Sequence, residues 1–187
     1  DFEPDKNKKP NIINKLWGWQ YSSTCRIDGI NGNVDVSLQY DAEEKSESGI
    51  VQYSLANDGN MQISKNFKVR EFRCKDGSDA ILIDVDFVKD NLQKIRDHFG
   101  VPITINSAYR TSAHNTKVGG AKNSYHMKGQ AFDIVVKGKT PNEVARFAQT
   151  LGINGIIQYN SFVHVDSRAT KRWAINDNGK VTNVTGF

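Results

Sequence analysis

The sequence predicts an α+β fold, a small antiparallel sheet with flanking helices, preceded by a small β-rich segment. Three observations predict it. Two stretches carry apolar residues at helical spacing. Several short apolar or alternating runs are bounded by Gly, Asn and Ser and read as strands. The order of the sharper signals is helix, strand, loop, strand, helix, strand, strand, and the last two strands follow so closely that they suit an antiparallel pair.

Taken in order, residues 1–11 (DFEPDKNKKPN) are polar and charged and read as a disordered lead or linker. Val34, Val36, Leu38 and Tyr40 alternate behind the turn residues of IDGINGN, as a half-buried strand requires. Residues 42–49 read as a loop, and Ile50, Tyr53 and Leu55 give a weaker strand signal. The NDG at 57–59 is a turn and marks a boundary, giving an N-terminal segment over 1–60 and a main domain over 61–187. Asp84 caps a helix whose Val88, Leu92, Ile95 and Phe99 share one face; Gly100 ends it and Pro102 prevents its return. VPITINS (101–107) reads as a strand, and RTSAHNTKVGGAKNS (110–124) as a long polar loop of the kind that carries function. QAFDIVV (130–136) is a strand. Thr140, Pro141 and Glu143 spell a helix start with cap, first-turn proline and capping-box acid. Val144, Phe147, Ala148 and Leu151 form its apolar face before Gly152 closes it, and GIIQY (155–159) and SFVHVDSR (161–168) supply the final pair of strands.

Composition narrows the function classes. With 37% hydrophobic and 25% charged residues, the 187-residue chain can build a globular core. No run of about 18 apolar residues is present, so no segment spans a membrane as a helix. The sequence begins at Asp1 with no signal peptide visible in it, which is also what removal of one beforehand would leave. The net charge of +4 suits an anionic partner such as a cell wall, but no dense basic block points to nucleic acid. Cys25 and Cys74 form no CxxC pair, and two thiols allow one disulfide or none.

The most informative stretch is SYHMKGQAFDI (124–134). Alternation places Ala131, Asp133 and Val135 on one strand face, where an unpartnered carboxylate is costly. A bound cation removes that cost. A catalytic zinc takes three protein ligands and keeps one position open. His126 and Asp133 offer two, with Gly129 letting the chain fold back between them. His164 in FVHVD offers the third, sharing a face with Phe162 and Asp166. The same residues also admit a plainer account, in which Asp133 pairs with a Lys or Arg and His164 is a satisfied core residue. His98 sits at a helix end, where a cation suits the dipole, and His114 lies in the polar loop.

Ser124, His126, Gly129, Ala131 and Asp133 match an SxHxxGxAxD pattern, which resembles the zinc D-Ala-D-Ala carboxypeptidase and murein endopeptidase family, part of the lysostaphin and hedgehog zinc fold group. SAYRT (107–111) and FVHVD resemble the flanking segments of that family, and the resemblance runs from about Asn66 to about Arg168, most closely to bacterial and phage cell-wall hydrolases. It implies a zinc peptidase with His126, Asp133 and His164 as ligands. It also implies a peptidoglycan peptide as substrate and a place outside the cell or in the wall, secreted or phage-delivered. Arg110 would bind a substrate carboxylate or polarise the scissile carbonyl, Ser124 would orient the ligand loop or contact substrate, and Tyr159 would hydrogen-bond in the transition state.

One departure stands out. Many members carry an acid three positions before the second histidine, and others a histidine two before; here Ser161 and Phe162 occupy those places. Asp166, about 7 Å along the strand from His164, is the candidate for the missing base or for a partner that holds the histidine. The departure keeps one rival in view, a zinc-containing wall-binding module without catalysis, and the N-terminal β-rich segment permits another, a phage tail component that carries a peptidase.

Overall fold

In the computed structural model, the described residues are the backbone of 19–25 and 34–38 and all of 49–187. The chain divides into two compact units, Asp1–Lys45 and Ser46–Phe187. In the first, strands β1 (Trp19–Cys25) and β2 (Val34–Leu38) pair antiparallel. The alternating run from Val34 is thus a strand, whereas the expected lead over 1–11 and most of the loop expected over 42–49 lie outside the described residues.

The second unit opens with β3 (Ile50–Ser54), which pairs antiparallel with β6 (Ala80–Asp84). The division at 45/46 therefore falls earlier than the boundary expected at 60/61, because β3 finds its hydrogen-bond partner inside the main domain. Between them, β4 (Gln62–Ser64) and β5 (Phe67–Lys68) form a small hairpin. Asp84 caps the following helix, accepting from the Phe87 amide at 3.0 Å. That helix is not uniform: α-helical Val85–Phe87 passes through a π turn over Val88–Leu92 into Gln93–Phe99, and Gly100 closes it in the left-handed region at φ 66°.

The site is built on a six-stranded sheet. In chain order its strands are β7 (Ile103–Ser107), β8 (Ala131–Val136), β9 (Gly155–Tyr159), β10 (Val163–Asp166), β11 (Arg172–Asp177) and β12 (Lys180–Asn183). Their spatial order is β12-β11-β9-β10-β8-β7. Every pairing is antiparallel except β9 with β11, so the sheet is mixed rather than wholly antiparallel. β11 and β12 lie beyond the last strand expected from the sequence, at 161–168.

Register decides which side chains share a face. Asp133 lies opposite Ser107 on one side and His164 on the other; His164 lies opposite Ile157, and Ile157 opposite Ala174. One row away, Ala131, Asp166, Gly155 and Arg172 are likewise in register. All of these residues occupy one face. The alternate residues, Phe132, Ile134, Val136, Ile156, Val163 and Val165, are buried on the other face. There Phe132 stacks on Phe87 with centroids 5.4 Å apart and meets Phe72 edge-on at 5.6 Å. The helix Pro141–Thr150 adds buried Val144, Ala145 and Ala148 to this core, started by the Thr140–Glu143 capping box. One face is thus packed, and the other is free to carry polar chemistry.

Candidate metal centre

Three sequence-predicted residues meet at the centre of the free face. His126 Nε2, Asp133 Oδ1 and His164 Nδ1 form a triangle with sides of 3.3, 3.3 and 2.9 Å. A tetrahedral ion with bonds of about 2.0–2.1 Å holds its ligand atoms about 3.3 Å apart, so the donor set fits such an ion in both identity and spacing. Asp133 and His126 are buried and His164 is half-buried.

Local structure explains why these atoms converge. Ser124 caps a 3-10 turn, Tyr125–Lys128, its Oγ accepting from the His126 amide at 3.3 Å. Gly129 ends the turn at φ 71°, where a Cβ would stand 2.5 Å from the Leu82 carbonyl, so only glycine lets the chain return at once into β8. Asp133 and His164 then face each other as register partners on β8 and β10.

Each histidine is also fixed from behind. His126 Nδ1 lies 2.7 Å from the Ala108 carbonyl, which only accepts; Nδ1 therefore carries the hydrogen, and Nε2 turns its lone pair to the centre. His164 Nε2 lies 2.9 Å from Asp166 Oδ2, which leaves Nδ1 to face Asp133. A carboxylate or carbonyl behind a ligating imidazole is the arrangement that orients metal-binding histidines.

Charge reinforces the geometry. Burial raises the Asp133 carboxyl pKa, but its contacts with His126 and His164 overcome that and hold it well below the ordinary carboxylate range. Burial opposes charge on His164, yet the hydrogen bonds it donates to Asp133 and Asp166 push it up to about 9. Asp166 is also held low, against burial, by His164 and Arg168.

The remaining predicted residues occupy distinct places. Arg110 donates from Nη2 to Asp133 Oδ2 at 2.8 Å and from Nε to Ser107 Oγ at 2.8 Å. Asp133 thus gives one oxygen to the histidines and the other to Arg110. Asp166 is fully buried; Arg168 grips it through Nε at 2.6 Å and through its own amide at 3.1 Å, besides a second guanidinium contact. Tyr159 stacks on Phe162 with centroids 4.2 Å apart. His98 stacks on Phe147 at 3.6 Å, and neither it nor His114 joins the centre. Cys74 is a free, buried thiol.

Sequence reasoning missed Arg168, Gly155 and the Ala108 carbonyl. A Cβ on Gly155 would stand 1.9 Å from Asp166 Oδ1, so the glycine makes the space that Asp166 fills. The Asp-x-Arg spacing of 166–168 was a readable signal for Arg168; the other two depend on strand register and a loop path. Thr111 and Ser112–Lys117 also correct the loop expected over 110–124. Thr111 caps a short helix there, accepting from the His114 amide at 3.1 Å and bonding Asp76 through its hydroxyl.

The centre lies in a groove of about 440 Å³, lined among others by Arg110, Ser124, His126, Asp133, Tyr159, His164 and Arg168. No helix of the described residues is long and apolar enough to cross a membrane.

Comparison with known proteins agrees with this arrangement. The chain is 30% identical over 93 residues to the peptidoglycan L,D-endopeptidase MepK of Escherichia coli strain K12, covering 45% of this chain and 51% of that protein. It is 33% identical over 78 residues to the probable peptidoglycan L,D-endopeptidase MepK of Haemophilus influenzae, covering 38% of this chain and 42% of that protein. The chain thus spans about half the length of these curated relatives or less. The peptidase M15 family profile matches residues 65–166, more than half of the sequence and the whole span from Asn66 to Asp166 that carries the centre, and the chain belongs to the peptidase M15 family.

Proposed function

We propose that the chain is a zinc-dependent peptidase that hydrolyses a peptide bond of bacterial peptidoglycan, as an endopeptidase rather than a D,D-carboxypeptidase. The observation that carries the reading is the triangle of His126 Nε2, Asp133 Oδ1 and His164 Nδ1, each donor fixed from behind, on the floor of an open groove. The names of the relatives support the substrate class and make an L,D bond the first to test. Such an enzyme works at the cell wall, outside the cytoplasm.

His126, Asp133 and His164 would hold the zinc, which would supply Lewis acidity toward a carbonyl and a water. The protein's residues do the remaining work. Arg110 keeps Asp133 turned so that Oδ1 faces the histidines, and from the groove wall its cation favours negative charge on the carbonyl oxygen. Tyr159 also lines the groove, and in this reading its hydroxyl donates a hydrogen bond to the same developing charge. Ser124 orients the turn that carries His126. Asp166 is a positioning residue and not the base, because it is fully buried and both its oxygens are engaged.

A second reading is a zinc-containing wall-binding module without catalysis. It is favoured by one observation: among the described residues, Asp133 is the only acid lining the groove, and it is committed to the centre. Incubation with purified cross-linked muropeptides of known linkage separates the two. Zinc-dependent appearance of a new amino terminus supports the peptidase and identifies the bond. Retention of muropeptides without cleavage supports the binding module.

A further inference from the structure

We propose that the C-terminal hairpin, β11 with β12, is the specificity wall of the groove and that Arg172 binds a carboxylate of the peptide substrate. The inference rests on the peptidoglycan-peptidase reading and adds a determinant from outside the 65–166 span that the family profile matches.

Register brings the hairpin to the site. Arg172 lies opposite Gly155, in the same row and on the same face as Asp166; Asn176 lies opposite Tyr159, and Val181 opposite Asn176. The sheet face that carries Asp133 and His164 therefore continues without a break onto the hairpin, and both Arg172 and Val181 line the groove. The hairpin itself is firmly set. Asn178 and Gly179 form its two-residue turn at φ 50° and 92°, and Trp173, on the opposite face, donates from Nε1 to the Ile153 carbonyl at 2.9 Å.

Charge selects the ligand. Among the described residues, three arginines line the groove. Arg110 is committed to Asp133 and Arg168 to Asp166. Arg172 is exposed, and its guanidinium has no hydrogen bond or ion pair among the described residues. With Asp133 as the sole acid among the described lining residues, their balance is cationic even before a metal is counted. A free guanidinium in such a setting matches the planar fork of a carboxylate. The apolar complement is present too: of the three large hydrophobic residues exposed among those described, Val118 and Val181 line this same groove. Carboxylates alternating with small alkyl side chains are the chemistry of a peptidoglycan stem peptide.

The test is the binding of two synthetic peptides, L-Ala-γ-D-Glu-L-Lys-D-Ala and the same peptide with its carboxyl groups amidated, measured by calorimetry on the zinc-loaded full chain. The wild type is expected to prefer the free acid. Arg172→Ala is expected to weaken the free acid about tenfold, the scale of a lost charge-assisted contact, and to leave the amide within about twofold. Arg172→Lys should fall between, because it keeps charge but loses the fork. Lys180→Ala, which removes a charge from the same hairpin outside the groove lining, should change neither. Equal loss for both peptides, or no loss, in Arg172→Ala would overturn the proposal. Because the readout is binding, it stands apart from cleavage: a wild type that discriminates the peptides yet releases no fragments would sink the peptidase reading and leave Arg172 as a recognition residue.

Discussion

Asp166 holds Nε2 of His164 at 2.9 Å and so turns Nδ1 toward Asp133, also 2.9 Å away. Of the two roles the sequence allows Asp166, base or partner of His164, the geometry favours the second: the carboxylate is buried behind the imidazole and bound by Arg168.

This relationship gives the first prediction. Asp166→Asn should lower zinc affinity about 10–100-fold, the scale expected when the partner of a ligating histidine is removed. Competition with a chelating dye measures it. Unchanged zinc affinity with lost hydrolysis would return Asp166 to the role of base.

The second prediction concerns pH. In chelator-treated protein, His164 is raised from about 6.5 in the unfolded chain to about 9 in the folded one. Its charged form is therefore favoured by folding. The stability it contributes is fully present below about pH 6.5 and is lost as pH rises through about 9. Zinc must displace that proton, so zinc affinity should rise with pH across the same window and binding should release protons. Calorimetry in buffers of different ionisation enthalpy counts them. Zinc binding that releases no proton near pH 7 would contradict the assignment.

How much of this was legible beforehand follows from where each signal lives. His126, Asp133 and His164 could be read because strand alternation fixes a face and a glycine-closed turn fixes a short return. Asp84 and the Thr140–Glu143 box could be read because caps are local chemistry. The helix at Ser112–Lys117 has no apolar stripe, so only its Thr111 cap announced it. Arg168 and Gly155 matter through partners set by β9–β10 register, which no local pattern encodes. The C-terminal hairpin was a different case: alternation through Trp173 and Ile175 followed by Asn178-Gly179 is a strong hairpin signal, and it was available.

The third prediction follows from close packing. Gly155→Ala places a Cβ 1.9 Å from Asp166 Oδ1, so Asp166 or β9 must shift. The variant should lose about 1–3 kcal/mol of stability, as overpacked sites do, and part of its zinc affinity through His164. Thermal unfolding with and without zinc reads both effects. A variant with wild-type zinc affinity would show that Asp166 does not hold His164 in place.

The fourth prediction is a control far from the chemistry. Thr140→Ala removes the cap and half of the capping box on the helix over Pro141–Thr150. It should cost about 1 kcal/mol of stability while leaving zinc content and hydrolysis per folded molecule unchanged. Denaturant unfolding and elemental analysis check the two halves of that expectation.

The central claim is that His126, Asp133 and His164 form a catalytic metal centre acting on peptidoglycan. Digestion of purified peptidoglycan by zinc-loaded protein, with chelator-treated protein and His126→Ala as controls, tests it most directly when released fragments are read by mass spectrometry. The account predicts fragments from the zinc-loaded protein alone, with new termini at one kind of peptide bond. Intact peptidoglycan from several wall chemistries, with zinc confirmed in the protein, would contradict it.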